Sequence, residues 1–142
     1  MPAREFTEED RSTLRNIYSE TKHQTFHWQS ADSLKMDDFD KDTEGEKIWV
    51  YQLAEEIVGF ISIWQPENFI HHLFVLPEYA RRGYGAQLLA TSMVSMNHPI
   101  TLKCSSQNAN ALAFYRSKGW RTVAKGIGTD GEYHLMQADY RL

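Results

Sequence analysis

Residues 80 to 89 combine positive charge and backbone freedom in a way that suits anion binding. The stretch reads Ala-Arg-Arg-Gly-Tyr-Gly-Ala-Gln-Leu-Leu, so Arg81 and Arg82 precede Gly83 and Gly85, and an apolar run follows. A helix that begins at these glycines presents unbonded backbone N–H groups and the positive end of its dipole to whatever lies in front of it. The pattern therefore predicts a phosphate-binding loop, and the alternative is a plain strand-to-helix turn with the arginines in water.

Two common nucleotide-binding loops do not fit this stretch. The dinucleotide fingerprint needs a third glycine where the sequence has Leu88. The triphosphate-binding loop ends in Gly-Lys-Ser or Gly-Lys-Thr, and the chain contains neither triplet. The spacing therefore ranks a generic nucleotide-binding domain last.

Two adjacent histidines, His71 and His72, supply the side chain best suited to proton transfer near neutral pH. Neighbouring side chains in a regular strand point to opposite faces, so we expect at most one of the two to face a cleft. Counting back from Leu73 and Val75 places His71 on their side of the strand unless a bulge intervenes. Because opposite faces cannot share one ion, and no Cys or His cluster accompanies the pair, no metal site is predicted.

A helix predicted over residues 108 to 118 aligns three further candidates. Asn108, Ala111 and Tyr115 are three and four residues apart and therefore lie on one face. Gly119 follows at the position where helices usually end. A tyrosine titrates near 10, so it is a weak acid at neutral pH but an adequate hydrogen-bond donor. Packing in the core is the alternative role for Tyr115.

Strands and helices alternate around these motifs. Thr7 is a predicted helix N-cap. Three strands rich in β-branched and aromatic residues follow, with a turn over Glu55 and Glu56 between the first two and Pro77 at the end of the third. Crossover helices later in the chain imply at least a partly parallel sheet. The predicted order is a helix from Thr7, a short helix over 32–38, strands over 47–54, 57–64 and 69–76, a helix from 83 to 96, a strand over 100–104, a helix over 108–118, and strands over about 120–127 and 132–139.

Composition limits the classes of protein that this chain can represent. A length of 142 residues with 42% hydrophobic and 13% aromatic residues predicts one globular domain spanning residues 1–142. The net charge of -4 argues against a general nucleic-acid binder. The charged N-terminal residues and the lack of a long apolar run predict neither a secretory signal nor a membrane span. A single cysteine, Cys104, excludes an internal disulfide, so we expect a soluble, cytoplasmic protein.

Residues 73 to 89, Leu-Phe-Val-Leu-Pro-Glu-Tyr-Ala-Arg-Arg-Gly-Tyr-Gly-Ala-Gln-Leu-Leu, resemble the acetyl-CoA-binding segment of the GNAT superfamily of N-acetyltransferases. Residues 108 to 120, Asn-Ala-Asn-Ala-Leu-Ala-Phe-Tyr-Arg-Ser-Lys-Gly-Trp, are similar to a second motif of that family, with Trp120 in place of the common Phe. Ala80 stands where the family usually has Gln or Arg, a departure for which Arg81 or Arg82 would compensate. The resemblance covers roughly residues 47 to 127.

The resemblance implies a fold and a cofactor. The fold is a mixed α/β single domain with a mostly antiparallel central sheet of six or seven strands, splayed between its fourth and fifth strands and flanked by about four helices. Residues 69–75 would be the fourth strand and residues 100–104 the fifth. The cofactor is acetyl-CoA, whose pyrophosphate the loop amides would hold. The implied cofactor-binding residues are Leu73, Phe74, Val75, Arg81, Arg82, Gly83, Tyr84, Gly85, Ala86, Asn108 and Tyr115.

The resemblance also implies roles in acetyl transfer to a primary amine by direct attack in a ternary complex. Tyr115 would be the acid that meets the departing thiolate, and a backbone N–H near Phe74 or Val75 would polarise the thioester carbonyl. His71 is the candidate base, and His72, Glu67 or solvent remain alternatives. Cys104 lies on a strand with no sequence cue for activation, so no nucleophilic cysteine is invoked.

The acceptor and the partners are less defined. Residues 26 to 28, Phe-His-Trp, and the acids Asp37, Asp38 and Asp40 would form an aromatic and acidic wall suited to a cationic small-molecule or peptide amine. Packing at a helix end is the alternative. Homodimers are common in the family. The competing hypothesis for the whole chain is a non-catalytic acyl-CoA-binding sensor or interaction module on the same fold.

Overall fold

The computed structural model describes residues 2–25, 38–129 and 131–138. In this part of the chain seven strands form one sheet in the order β1-β2-β3-β4-β5-β7-β6. The β4–β5 pair is parallel and the other pairs are antiparallel. The strands are β1 (Ala3–Glu5), β2 (Lys47–Leu53), β3 (Glu56–Trp64), β4 (Phe69–Val75), β5 (Thr101–Ser105), β6 (Trp120–Gly128) and β7 (Gly131–Ala138).

Four α-helices accompany the sheet in the described residues. They are α1 (Arg11–Thr25), α2 (Asp38–Asp42), α3 (Tyr84–Met93) and α4 (Ala109–Ser117), and short 3-10 turns cover Glu8–Asp10, Gln65–Glu67 and Pro77–Tyr79. The mixed, mostly antiparallel fold expected from the sequence is confirmed, with residues 69–75 as the fourth strand. None of the described helices is long and apolar enough to cross a membrane.

Alternation along the strands gives the sheet two buried faces. Ile48, Val50 and Phe60 pack with Tyr18 of α1 and Phe39 of α2. Their neighbours Trp49, Tyr51 and Ile61 belong to a second core that includes Leu88 of α3 and Leu112 of α4. We call these faces the α1/α2 face and the α3/α4 face. Because both faces of the central strands are covered, those strands are apolar on both sides, as is typical of buried strands.

Several element boundaries differ from the sequence expectation. β1 is a three-residue strand that no periodicity indicated. A 3-10 turn over Glu8–Asp10 separates Thr7 from α1. The first strand turn covers Ala54 and Glu55, one residue earlier than predicted, and Ala54 adopts a φ of 54° there. The helix after Gly83 ends at Met93 rather than Met96. Of the short helix predicted over 32–38, only residue 38 lies within the described residues, and α2 begins there.

Candidate functional site

A cleft opens where β4 and β5 separate. The two strands pair only at Phe69 with Thr101 and at Ile70 with Leu102, and beyond these residues no further pairs join them. The cleft has a volume of about 560 Å³. Residues that line it on the α3/α4 face include Asn108, Ala111 and Tyr115; those on the α1/α2 side include Asp42, His71 and His72. The cleft therefore connects the two faces of the sheet.

The free edge of β4 supplies backbone N–H groups to this cleft. Leu76 donates its N–H to the Val58 carbonyl at 2.8 Å, so its N–H points toward β3. Successive N–H groups along a strand alternate between its two edges. The N–H groups of Val75 and Leu73 therefore point toward the edge that β5 has left, where they can hydrogen-bond to a ligand.

The loop before α3 has the form expected of an anion site. Gly83 is the N-cap with a φ of 84°, in the left-handed region where glycine carries no steric cost. The first helical bond runs from the Gln87 N–H to the Gly83 carbonyl at 3.1 Å. The N–H groups of Tyr84, Gly85 and Ala86 thus lie in the first turn, where a helix offers them no acceptor. They are the groups that can bind a phosphate.

The residues around this turn hold it in place or lie in solvent. Tyr84 stacks on Tyr51 with ring centroids 4.5 Å apart, and the Tyr51 hydroxyl donates to Gln87 at 3.0 Å. Arg81 is exposed and adopts a φ of 65°, and the exposed Arg82 lies over the Tyr79 ring at 5.5 Å. Both arginines remain near the loop and can meet a phosphate by side-chain movement.

Asn108 has a structural role that its motif did not reveal. It is the N-cap of α4, and its Oδ1 accepts the Ala111 N–H at 3.1 Å. This bond fixes the start of the helix and orients the Asn108 side chain, which lines the cleft. The Asn108 NH₂ group takes no part in that bond and can donate to a ligand in the cleft.

Tyr115 lies deep in the cleft. Its ring packs edge-on against Phe114 at 5.2 Å and Trp120 at 5.9 Å, and only 9% of the residue is exposed. Burial, with a smaller contribution from Cys104, raises the pKa of Tyr115 above its ordinary value. The Tyr115 hydroxyl therefore stays protonated at neutral pH and can donate a hydrogen bond to a group bound in the cleft.

Cys104 lines the same cleft, but its environment disfavours the thiolate. Burial raises the pKa of the Cys104 thiol to about 11, and Arg116 offsets only part of that effect. A thiol with such a pKa is protonated at neutral pH and is a poor nucleophile.

The expectation that His71 and His72 point to opposite faces is wrong. Their ring centroids lie 3.9 Å apart, and both side chains line the cleft. The cause is a β-bulge: Ser62 of β3 pairs with His72 and Ile63 pairs with Ile70, so His71 is the extra residue. The bulge turns His71 away from the side of Leu73 and Val75 and toward His72.

Glu46 joins the two histidines, and no sequence pattern indicated it. Its Oε2 lies 2.5 Å from the His71 Nδ1, and its Oε1 lies 3.9 Å from the His72 Nδ1. The Glu46 side chain is only 6% exposed, and among the described residues its Oε1 has no hydrogen-bond partner. Glu46 lies 25 residues before His71 in the sequence, so the contact between them can be recognised only once the strands are paired.

The sequence argument against a shared metal ion was that His71 and His72 point to opposite faces, and this argument no longer holds. Donor atoms of Glu46, His71 and His72 all lie within 4.8 Å of one another. However, two ligands about 2.0–2.2 Å from one tetrahedral zinc lie roughly 3.3 Å apart. The 2.5 Å between Glu46 Oε2 and His71 Nδ1 is too short for two ligands of one ion and marks a direct hydrogen bond between the two side chains. The contacts therefore describe a hydrogen-bonded network, and the lack of a metal stays a prediction.

A hydrogen-bonded chain extends the network toward α1 and α2. The Ser62 Oγ lies 2.9 Å from the His72 Nδ1, and the Tyr18 hydroxyl lies 3.4 Å from the His72 Nε2. Tyr18 in turn donates to Asp42, which lines the cleft. Both ring nitrogens of His72 thus have neighbours, which leaves His72 less able than His71 to meet a ligand.

The remaining candidates fall outside this centre. Glu67 is exposed in the turn before β4 and is not among the described residues that line the cleft. Asp40 binds Arg15 at 2.6 Å and Arg11 at 3.1 Å, so its carboxylate serves a salt-bridge cluster instead of an acceptor wall. Asp38 begins α2. Residues 26–28 and 37 of the proposed wall lie outside the described residues.

Known proteins resemble this chain in sequence. The model of the acetyltransferase (GNAT) domain family matches residues 14–136. The peptidyl-lysine N-acetyltransferase YiaC of Escherichia coli is 33% identical over 76 residues, which are 53% of this chain and 50% of that protein. A 5-NmdU N-acetyltransferase of Pseudomonas phage PaMx11 is 30% identical over 101 residues, 66% of this chain and 71% of that protein. The match thus spans about half the length of the bacterial relative.

Solved structures share the fold. The PaiA N-acetyltransferase of Thermoplasma acidophilum, solved in complex with coenzyme A, matches with a TM-score of 0.79 at 17% identity, over 97% of this chain and 98% of that one. A GCN5-related N-acetyltransferase from Rhodopseudomonas palustris matches with the same TM-score of 0.79 at 18% identity, over 97% of this chain and 94% of that one.

Proposed function

The chain belongs to the GNAT family of acetyltransferases, and from that premise we propose that it is an acetyl-CoA-dependent N-acetyltransferase. It moves the acetyl group to a primary amine by direct attack while both substrates are bound. The observation that carries this proposal is the cleft between β4 and β5, which brings Asn108 and Tyr115 on one face of the sheet together with the histidine cluster on the other. Two substrates that enter from opposite faces can meet inside it.

Backbone groups account for binding of acetyl-CoA. The first-turn N–H groups of Tyr84, Gly85 and Ala86 would hold the pyrophosphate, because a helix N-terminus favours negative charge. Arg81 and Arg82 lie beside the same turn and add positive charge. The free edge of β4 at Leu73, Phe74 and Val75 would bind the extended pantetheine arm as a missing strand would, with the Asn108 NH₂ across the cleft. The PaiA structure with coenzyme A has this fold.

The reaction needs polarisation of the thioester and protonation of the leaving thiolate. The Val75 N–H points into the open edge and can donate to the thioester oxygen as negative charge develops there. Attack by the amine nitrogen forms the C–N bond and breaks the C–S bond. Tyr115 would donate a hydrogen bond to the departing sulfur as negative charge develops there, because burial keeps its hydroxyl protonated, and solvent would supply the proton that completes the thiol.

The amine must also lose a proton. His71 lines the cleft with a side chain that is 39% exposed, so it can reach the acceptor directly or through one water. It would take the proton that the attacking nitrogen gives up. Asp42 lines the same side of the cleft and is an acid placed where a cationic acceptor would enter. The named relatives differ in acceptor, since one is a peptidyl-lysine acetyltransferase and another a 5-NmdU acetyltransferase.

Release of free thiol from acetyl-CoA over a panel of amines tests this proposal. The panel should hold lysine peptides, free amino acids and small polyamines, with the protein-free reaction as control. Thiol release that depends on one amine class and yields a product heavier by one acetyl group supports the enzyme. Saturable acetyl-CoA binding without turnover on any amine, unchanged by Tyr115→Phe, would favour the sensor instead.

A further inference from the structure

We propose that Glu46 is a positioning residue for His71: its carboxylate accepts the Nδ1–H of the imidazole and thereby reserves the Nε2 as the atom that takes the proton of the acceptor amine. This inference rests on the proposed function, because it concerns the base of that reaction. It assigns a role to a side chain that lies outside both sequence motifs.

The geometry sets the tautomer of His71. An ionised carboxylate can only accept hydrogen bonds, so with Glu46 ionised the contact of 2.5 Å between Oε2 and Nδ1 places the proton on Nδ1. In the neutral ring the Nε2 then carries the lone pair. The Glu46 side chain is 6% exposed, whereas the His71 side chain is 39% exposed and lines the cleft, so the imidazole is open to a ligand while its carboxylate partner is buried.

The backbone builds this contact from two separate departures from regular structure. The bulge at His71 brings the ring to the side of the sheet where Glu46 lies. Glu46 directly follows a turn in which Gly45 adopts a φ of 80°, and its own N–H donates to the Thr43 carbonyl at 2.9 Å. Together these two features place the carboxylate against the imidazole.

The charges of the site favour transfer of a proton to His71. A buried carboxylate is costly unless a positive group compensates it, and the Glu46 Oε1 has no hydrogen-bond partner among the described residues. When His71 takes the amine proton, the new imidazolium forms directly against this carboxylate. In the part of the chain that the structure describes, the titratable groups in contact with the ring are Glu46, which precedes β2, and His72 on the same strand, with Tyr18 of α1 and Asp42 of α2 behind His72.

His72 is a less suitable base. Its side chain is only 11% exposed, its Nδ1 faces Ser62 and its Nε2 faces Tyr18. It also stands farther from Glu46, at 3.9 Å. His71 is therefore the ring that the carboxylate orients toward the cleft.

The first test is spectroscopic and does not need turnover. Nitrogen-15 spectra of the imidazoles in the substrate-free protein, assigned with His71→Gln, should show His71 with its proton on Nδ1. In Glu46→Gln the amide can donate as well as accept, so the Nδ1–H form should lose its dominance. Glu44→Gln, at an exposed acid two residues away, should leave the spectrum unchanged. A His71 ring that carries its proton on Nε2 in the native protein would overturn the proposal.

The second test is kinetic. Glu46→Gln should lower kcat about 10- to 100-fold, by analogy with the loss of a carboxylate that orients a metal-binding histidine, with KM for acetyl-CoA within about twofold. Glu46→Asp keeps the charge and should recover part of kcat. The double variant with His71→Ala should be no slower than His71→Ala alone. Additive losses in the double variant, or an undiminished kcat in Glu46→Gln, would contradict the role of Glu46.

These outcomes separate the two proposals. Suppose that the protein acetylates no amine but the spectra show an Nδ1–H tautomer that Glu46→Gln abolishes. The proposed function and the catalytic role of Glu46 then both fail, and only the orienting contact between Glu46 and His71 stands. If amines are acetylated but the tautomer and kcat do not respond to Glu46→Gln, only the inference fails. Should Glu46→Gln not fold, Glu46→Asp and the native spectra still decide the matter.

Discussion

Ile70 of β4 and Leu102 of β5 are the last residues that pair between these two strands. One residue further, the bulged His71 departs from the regular strand, and the sheet remains open as far as Val75. The same point in the fold thus creates the binding cleft, frees the amides of β4 and presents the histidine cluster. In the proposed mechanism, binding of the cofactor and proton transfer therefore both depend on where this parallel pair ends.

Gly85 is the most direct test of the anion site. A Cβ at Gly85 would lie 3.7 Å from Val75 and 3.8 Å from Phe114, which is ordinary contact, so Gly85→Ala should fold and bind normally. Gly85→Glu places a negative charge at the helix N-terminus and should weaken acetyl-CoA binding about tenfold or more in calorimetry. Ala90→Glu adds the same charge to the exposed face of α3 and should have little effect. Equal affinities for all variants would reject the phosphate-loop assignment.

Tyr115 should matter for turnover more than for binding. Tyr115→Phe keeps the ring contacts with Phe114 and Trp120 but removes the proton donor, so kcat should fall about 100-fold while the dissociation constant of acetyl-CoA changes little. Steady-state rates and calorimetry on the same preparation measure the two quantities. Tyr79→Phe, which removes an exposed hydroxyl bonded to Glu56, is the matched control. A Tyr115→Phe enzyme as fast as wild type would exclude the proposed acid.

Removal of His71 should produce a defect that depends on pH. Without a base, the reaction must wait for amine that is already deprotonated, and that fraction grows as pH rises. His71→Ala should therefore be about 100-fold slower near pH 7 and should approach wild type at alkaline pH. Rates between pH 6 and 10, with His98→Ala as a control at an exposed histidine, measure this. A constant ratio across the range would point to the alternative bases His72, Glu67 or solvent.

Cys104 should be dispensable for the chemistry. Burial raises the pKa of the thiol to about 11, so alkylation should be slow at neutral pH and should accelerate only as pH rises toward that value. Cys104→Ala should keep sequential kinetics, with kcat within about threefold, since no acyl-enzyme forms. Ping-pong kinetics, or trapping of an acetylated Cys104 by mass spectrometry, would contradict direct transfer.

The sequence predicted the elements better than their local irregularities. Strand and helix periodicities, Pro77, the glycine pair and Gly119 are local signals, and they located β2 to β5, α3 and α4. The motif around Asn108 and Tyr115 also fell on one helix face lining the cleft. These features depend on residues close together in the chain.

Features that depend on pairing between distant residues were not predictable. A bulge adds one residue to one strand, and alternation along β4 alone gives no sign that His71 is that residue. Glu46 follows a turn, between Gly45 and Lys47, and its contact with His71 forms only when β2, β3 and β4 align. The sequence suggested that Asp40 was free to bind an acceptor. Its two arginine partners lie in α1, 25 and 29 residues away, and they become its neighbours only in the folded chain.

Calorimetric titration of the purified protein with acetyl-CoA is the measurement that tests the central claim most directly. ATP and NAD serve as controls, because both carry a pyrophosphate but lack the pantetheine arm that the open edge of β4 would bind. The account predicts saturable binding of acetyl-CoA alone, weakened by Gly85→Glu. No binding of acetyl-CoA, or equal binding of ATP or NAD in competition with it, would contradict the account.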